Sequence, residues 1–382
     1  MKGSIVKRGN MYSFVLDIGR DPVTKKRKQK RVSGFSSKKK AQKAMNDMMS
    51  ELQRGSYVEP SKELMSDYLD RWLKHKQTRV AYSTYAHYKS YIDNHIKPAL
   101  GAIQVFRLTP NDVQNFYDGL LEQGELSERS IHHIHRILSN ALEKGCRMEG
   151  LPKNVANAAE PASVAKNEMK HWNMLTLKSF LDATRQENFF IAWYLAAFTG
   201  MRQGEILGLK WDCIDFNNKT IYVRRALKRE EEKYRIANLK NNSSYRSIAV
   251  TDSDIFELKR HYNLQKEKKM GVGRDYADNN LVIATAFGNK VEPSNIIRAF
   301  KRCINREKVP QIRFHDLRHT HASMLFGLKT HPKIVQERLG HSSIQVTLDT
   351  YSHMLPNMQE AVAESLESAF KKEEKVTNSY SL

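Results

Sequence analysis

The chain has 382 residues, 40% apolar and 27% charged, enough for two or three buried cores and too polar for a membrane protein. Its 63 Lys+Arg against 42 Asp+Glu leave a formal charge of +21, which calls for a polyanionic partner such as nucleic acid. The longest apolar run, Phe189 to Phe198, is half the roughly 20 residues a bilayer helix needs, and the N-terminus does not read as a signal peptide.

Cys146, Cys213 and Cys303 are far apart and odd in number. That excludes a disulfide framework or a zinc ribbon and fits a reducing, intracellular compartment. The charge is concentrated: residues 1–57 carry 15 Lys+Arg and 4 Asp+Glu, which is +11 of the total.

Residues 1–57 are expected to form a three-stranded sheet on one helix. Met11–Ile18 alternates, with Tyr12, Phe14, Leu16 and Ile18 on one face and Ser13 and Asp17 on the other. A second basic run, Lys28–Phe35, follows. Ser36 or Ser37 then caps a helix whose apolar stripe is Ala41, Met45, Met48 and Leu52. Gly55 and Pro60 mark a linker.

Residues 62–155 read as a compact helical bundle. Its helices are Leu64–Leu73, a second from Ser83 to Ile96, a third opened by Thr109-Pro110-Asn111-Asp112, and a fourth from Ser127 that Gly145 should stop. Pro152 to Met169 reads as a second linker. Residues 170–382 are mostly helical again, with Thr220–Val223 and Tyr245–Val250 as strands around a polar hairpin. A final helix is expected over about Met358–Phe370. The fold class is mainly α with small β-sheets, α+β.

Four short segments of the last domain carry chemistry. In Thr199-Gly200-Met201-Arg202-Gln203-Gly204-Glu205, an arginine follows a helix-stopping glycine and Glu205 lies one turn further on the same face. His315-Asp316-Leu317-Arg318-His319 projects His315 and Arg318 together at i, i+3. Leu339-Gly340-His341-Ser342-Ser343 leaves His341 on a turn. Thr350-Tyr351-Ser352-His353 supplies a tyrosine. Taken singly, each fits an ordinary salt bridge, helix face, loop histidine or core tyrosine.

Their order and spacing, Arg…His-x-x-Arg…His…Tyr with His341 23 residues after Arg318 and Tyr351 10 after His341, resemble the tyrosine recombinase (phage integrase) family. The three-part layout resembles integrases of phages and integrative elements: an arm-site DNA-binding domain (1–57), a core-binding domain (62–155) and a catalytic domain (170–382). The resemblance implies a site-specific recombinase that cleaves each strand through Tyr351, leaves a 3′-phosphotyrosyl link and exchanges strands in a tetramer. Arg202 and Arg318 would hold the phosphate, His315 would be a general base or phosphate hydrogen-bonder, His341 a phosphate ligand, and Glu205 a support. The general-acid lysine falls best on Lys240, with Lys233 as the fallback.

The residue types suit that chemistry independently. A phenol can store a phosphodiester as an ester and be displaced again. Two guanidiniums stay charged and clamp non-bridging oxygens bidentately, so neither metal nor ATP is implied, and no Walker-type loop occurs. In the basic module Lys25, Lys26, Arg27 and Lys28, with Tyr12 and Phe14 interleaved, are expected to meet double-stranded DNA at arm sites. An excisionase and a DNA-bending host protein are further partners the resemblance allows, in the cytoplasm of a prokaryotic host. The competing readings are a non-catalytic architectural DNA-binding protein, a topoisomerase that simply reseals, and a zinc hydrolase built on His315, His319, His321 and His331.

Overall fold

The computed structural model describes residues 3–20, 25–53, 61–164, 169–231, 233–239, 244–351 and 367. It divides into two units, Met1–Ala165 and Lys166–Leu382. Helices dominate both, and the sheets are small and antiparallel, as the alternation of periods along the sequence implied. Among the described residues no helix is long and apolar enough to cross a membrane.

The first unit opens with strands β1 (Gly3–Arg8), β2 (Met11–Arg20) and β3 (Arg27–Phe35) in the order β1-β2-β3. Registers Ile5↔Phe14 and Phe14↔Val32 stack apolar residues on one face. Helix α1 (Lys38–Gln53) covers that face with Ala41 and Met45. The open face carries Ser4, Val6, Val15, Gln29, Arg31 and Ser33, one residue out of phase with the covered set. Phe14 is 1% exposed and stacks on Phe35 at 5.7 Å, so it belongs to the sheet–helix core. Its expected place among DNA-facing residues is corrected: the period-2 pattern that revealed the strand also turns Phe14 inward. Tyr12 is half-buried with Lys7 over its ring at 5.8 Å. Lys25, Lys26, Arg27 and Lys28 are exposed, and Arg27 pairs with Asp17.

The bundle follows: α2 (Met65–Gln77), α3 (Tyr82–Tyr91), a π-helical turn Ile92–Ile96, α4 (Lys97–Leu100), α5 (Pro110–Gln123) and α6 (Glu128–Met148). Thr109 and Asp112 form a reciprocal capping box on α5. Gly145 does not stop α6. It is buried inside the helix, where a Cβ would come 2.3 Å from Leu151 Cδ1. The glycine is there for close packing, which sequence cannot distinguish from a stop signal. α3 starts at Tyr82, with no side-chain cap at its N-terminus. Val155, Ala156 and Ala159 are buried in the same core, so the expected linker from Pro152 begins as part of the bundle.

The second unit packs α7 (Met174–Ala183), α8 (Phe190–Thr199), α9 (Gln203–Leu207), α10 (Asp252–Val272), α11 (Pro293–Glu307), α12 (Asp316–Gly327), α13 (Pro332–Leu339) and α14 (Ile344–Tyr351). α8 is apolar all round and almost entirely buried, the placement such a sequence demands. The sheet is β4 (Ile214–Asp215), β5 (Thr220–Val223) and β8 (Arg246–Ala249), with Ile214, Ile221 and Ile248 in register. β6 (Arg225–Glu230) and β7 (Lys233–Asn238) form a separate antiparallel hairpin in the stretch read from sequence as a polar hairpin between the two strands. Lys240 and the expected helix Met358–Phe370 (save Glu367) lie outside the described residues.

Candidate active site

The site sits where α8, α12, α13, α14 and β8 come together. Gly200 caps α8 in the left-handed region at φ 65°, and the chain turns so that Arg202 becomes the N-cap of α9. The Glu205 carboxylate accepts from the Arg202 main-chain N–H at 3.0 Å and from its Nη1 at 2.9 Å. Arg202 Nη2 donates to the Gly340 carbonyl at 3.0 Å. That bond joins two motifs 138 residues apart. The Arg202 side chain stays 38% exposed, open to a ligand.

Arg246, unremarked in the sequence reading, completes this corner. Its Nη2 meets Glu205 at 2.8 Å, its Nε donates to the Arg338 carbonyl and its Nη1 to the Ser244 carbonyl. Every nitrogen is engaged, and these bonds hold Arg246 against Glu205 so that it positions that carboxylate. Strand alternation was the available signal: Arg246 shares a face with the buried Ile248. Burial opposes ionisation of Glu205, but Arg246 and Arg202 outweigh it and hold the carboxyl below its usual range.

His315 is the N-cap of α12, and Arg318 lies on its first turn. Arg318 is 2% exposed. Its Nη1 donates to the Gly200 carbonyl at 2.6 Å, while its buried Nη2 has no hydrogen-bond partner among the described residues. A buried cationic donor left unpaired is costly. Burial, then Arg202 and Arg246, press its pKa down. An oxyanion placed against Nη2 would relieve both strains.

Gly340, at φ 68°, ends α13 and puts His341 on the turn before α14. Its Nδ1 meets Thr347 Oγ1 at 2.8 Å, and its ring lies parallel to that of Tyr351 at 6.5 Å. Tyr351 is the last residue of α14 and is 1% exposed, packed by Phe326, Val335 and Leu339. Its hydroxyl meets His319 Nδ1 at 2.7 Å, and the two rings lie 5.7 Å apart. From sequence, His319 had a place only in the competing zinc-hydrolase reading.

The histidines are held neutral. Burial, then Arg318 and the other guanidiniums, lower His341 to about 3. Burial and His315 lower His319 to about 4. His315, exposed at one edge, is lowered by partial desolvation and by Arg318. Burial pushes the Tyr351 phenol up to about 12, with Arg318 and Arg202 pulling the other way. Three arginines and one glutamate therefore leave a net of two positive charges facing a group of neutral donors and acceptors. That is a receptor for an anion whose charge grows during reaction.

The histidines do not converge as a metal set. His321 turns to the Ala197 carbonyl, and His331 caps α13 by accepting from Lys333 N–H. Arg202, Glu205, Arg318, His341 and Tyr351, expected from sequence as one site, are connected through this network. His315 joins it through the edge-to-face contact with His319 at 5.2 Å. Lys233 is exposed at the start of β7.

The family comparisons agree with this architecture. The profile of the phage integrase family matches residues 169–358, the phage integrase N-terminal SAM-like domain matches 64–121, and an arm DNA-binding domain matches 4–52. The chain belongs to the phage integrase family of tyrosine recombinases, enzymes of site-specific DNA recombination. It is similar to a "Tyrosine recombinase XerC-like" protein of Caldanaerobacter subterraneus subsp. tengcongensis, 29% identical over 395 residues, covering 97% of this chain and 99% of that one. It is also similar to the ICEBs1 integrase of Bacillus subtilis, 27% identical, covering 74% and 77%. Among solved structures, the Tn1549 transposon integrase in complex with transposon right end DNA shares the fold at TM-score 0.69 and 20% identity, covering 80% of this chain and 99% of that chain. A lambda integrase tetramer bound to a Holliday junction shares it at 0.58 and 18%, covering 89% and 92%.

Proposed function

We propose that this recombinase breaks and rejoins double-stranded DNA through a 3′-phosphotyrosyl intermediate on Tyr351, as a tetramer on its core sites. Arg202 and Arg318 clamp the scissile phosphate, His341 and His315 bond its oxygens, and Glu205 with Arg246 fixes Arg202. Lys240 protonates the departing 5′-oxygen. Residues 1–57 serve arm sites, 62–155 core sites and 170–382 catalysis. An excisionase and a DNA-bending host protein are partners consistent with this reading in a prokaryotic cytoplasm.

The observation that carries the reading is the unsatisfied Arg318 Nη2, buried in a cluster that holds Arg202 and Tyr351 as well. The test is a nicked suicide substrate bearing the crossover site, incubated in EDTA and run on a denaturing gel. Wild type should form a covalent adduct and Tyr351→Phe none. An adduct that persisted in Tyr351→Phe would move the nucleophile elsewhere. No adduct from either would leave an architectural DNA-binding protein.

A further inference from the structure

We propose that His319 is the proton acceptor for the Tyr351 hydroxyl during strand cleavage, since its Nδ1 lies 2.7 Å from the phenol oxygen, within reach of the atom that must lose a proton. This rests on Tyr351 being the nucleophile. The other ring contacts support the choice. His341 Nδ1 is committed to Thr347 Oγ1, and the ring of His315 packs edge-on against His319. His319 follows Arg318 directly on α12, so one helical turn presents both the phosphate ligand and the base.

The groups facing His319 explain how it would work. His315, Asp316, Arg318 and Arg313 come from α12 and the turn before it, and Tyr351 and His341 from α14 and its preceding turn. Burial and His315 keep the ring neutral, Arg318 and Arg313 add to this, and Asp316 works against it. With the phenol protonated, its O–H donates and Nδ1 accepts, which places the imidazole proton on Nε2. A phosphodiester bound at Arg318 neutralises part of the positive field that disfavours imidazolium, so DNA itself strengthens the base.

The step balances. The Tyr351 O–H bond breaks and its proton passes to Nδ1. The oxygen–phosphorus bond to Tyr351 forms, and the phosphorus–O5′ bond breaks as the leaving oxygen takes a proton from the general acid. On resealing, the 5′-hydroxyl attacks, Tyr351 leaves, and His319 returns the proton.

His319→Asn keeps an acceptor atom near the place of Nδ1 but cannot take up a proton. Single-turnover adduct formation is measured from about pH 5 to 9 on two substrates, one with the ordinary 5′-oxygen and one with a 5′-bridging sulfur that leaves without acid assistance. The expected result is a loss of about 100-fold with DNA affinity and melting temperature unchanged, no recovery with sulfur, and disappearance of the acid limb of the pH profile. A rate within about threefold of wild type, or full recovery with sulfur, overturns the role. So does loss of the acid limb in His315→Asn but not in His319→Asn. Should His319→Asn fold poorly, His319→Gln is read by the same criteria. Tyr351→Phe runs in parallel: adduct there would remove the nucleophile assignment, whereas the His319 variants bear on the proton alone.

Discussion

Arg318 Nη1 donates to the main-chain carbonyl of Gly200 at 2.6 Å, tying one arginine of the site to the turn that carries the other. That turn needs glycine. Gly200 has φ 65°, and a Cβ there would lie 2.7 Å from Leu339 Cδ2 and 2.8 Å from His321 Cδ2. Gly200→Ala should cost about 1–3 kcal/mol through strain and overpacking. It should also shift both guanidiniums, so adduct formation should fall by more than the melting temperature suggests. Calorimetry and the suicide-substrate assay on one preparation check both; a fully active variant would show that the turn does not set the arginines.

Arg246 is the second test of positioning. Its guanidinium and Glu205 are both buried and bonded at 2.8 Å. Removing one member of such a pair strands the other charge, at about 3–5 kcal/mol. Arg246→Ala should therefore destabilise strongly and slow cleavage. Arg246→Ala combined with Glu205→Gln should be less destabilised than the two single changes added together. Strict additivity in chemical denaturation would mean the two do not act as a unit.

Acid should weaken the second unit for a reason visible at His321. The ring is 4% exposed, its Nδ1 bonds to the Ala197 carbonyl, and its Nε2 accepts from Arg338 Nε. A guanidinium donor leaves no room for a second proton on Nε2, and burial first, then Arg338, hold the pKa to about 3. Above about pH 6.5 the residue is neutral in both folded and unfolded chains and stability is flat. Between there and about pH 3 the unfolded chain binds a proton that the folded one refuses, so stability falls as pH falls. From pH 6.5 to 5 this single group contributes on the order of 2 kcal/mol. His319 and His341, also lowered, act in the same direction. Thermal unfolding at pH 7 and pH 5 should show the drop, and His321→Gln should make it smaller by this one group's share.

The sequence made most of the site legible because its residues sit at punctuation. Gly200 and Gly340 end helices, so Arg202 and His341 could be placed on turns from sequence alone. Tyr351 could be placed only by its distance from His341. What escaped depends on the third dimension. Arg246 lay in the expected strand Tyr245–Val250 and drew no notice there, although alternation with Ile248 marked it as inward-facing. The bond between His319 and Tyr351 joins residues 32 apart, and no periodicity reports it. Phe14 and Gly145 failed differently: each signal was real, but an aromatic in a basic strand and a glycine near a helix end both serve packing.

The basic module offers a separable prediction, because its core and its charged edge lie on different residues. Phe14 packs on Phe35 beneath α1, while Lys25 and Lys26 are exposed at the start of the β3 side. Truncating the aromatic, Phe14→Ala, should cost about 3–5 kcal/mol and unfold so small a module. Arm-site binding would then be lost at every salt concentration. Lys25→Ala and Lys26→Ala should leave the fold intact and remove phosphate contacts one at a time. Each should lower the slope of log K against log salt by about 0.9. The two classes separate cleanly in fluorescence anisotropy over a salt series with circular dichroism as the folding control. A folded Phe14→Ala protein that lost binding would return Phe14 to the DNA surface. Unchanged salt slopes in both lysine variants would take Lys25 and Lys26 off the phosphate backbone.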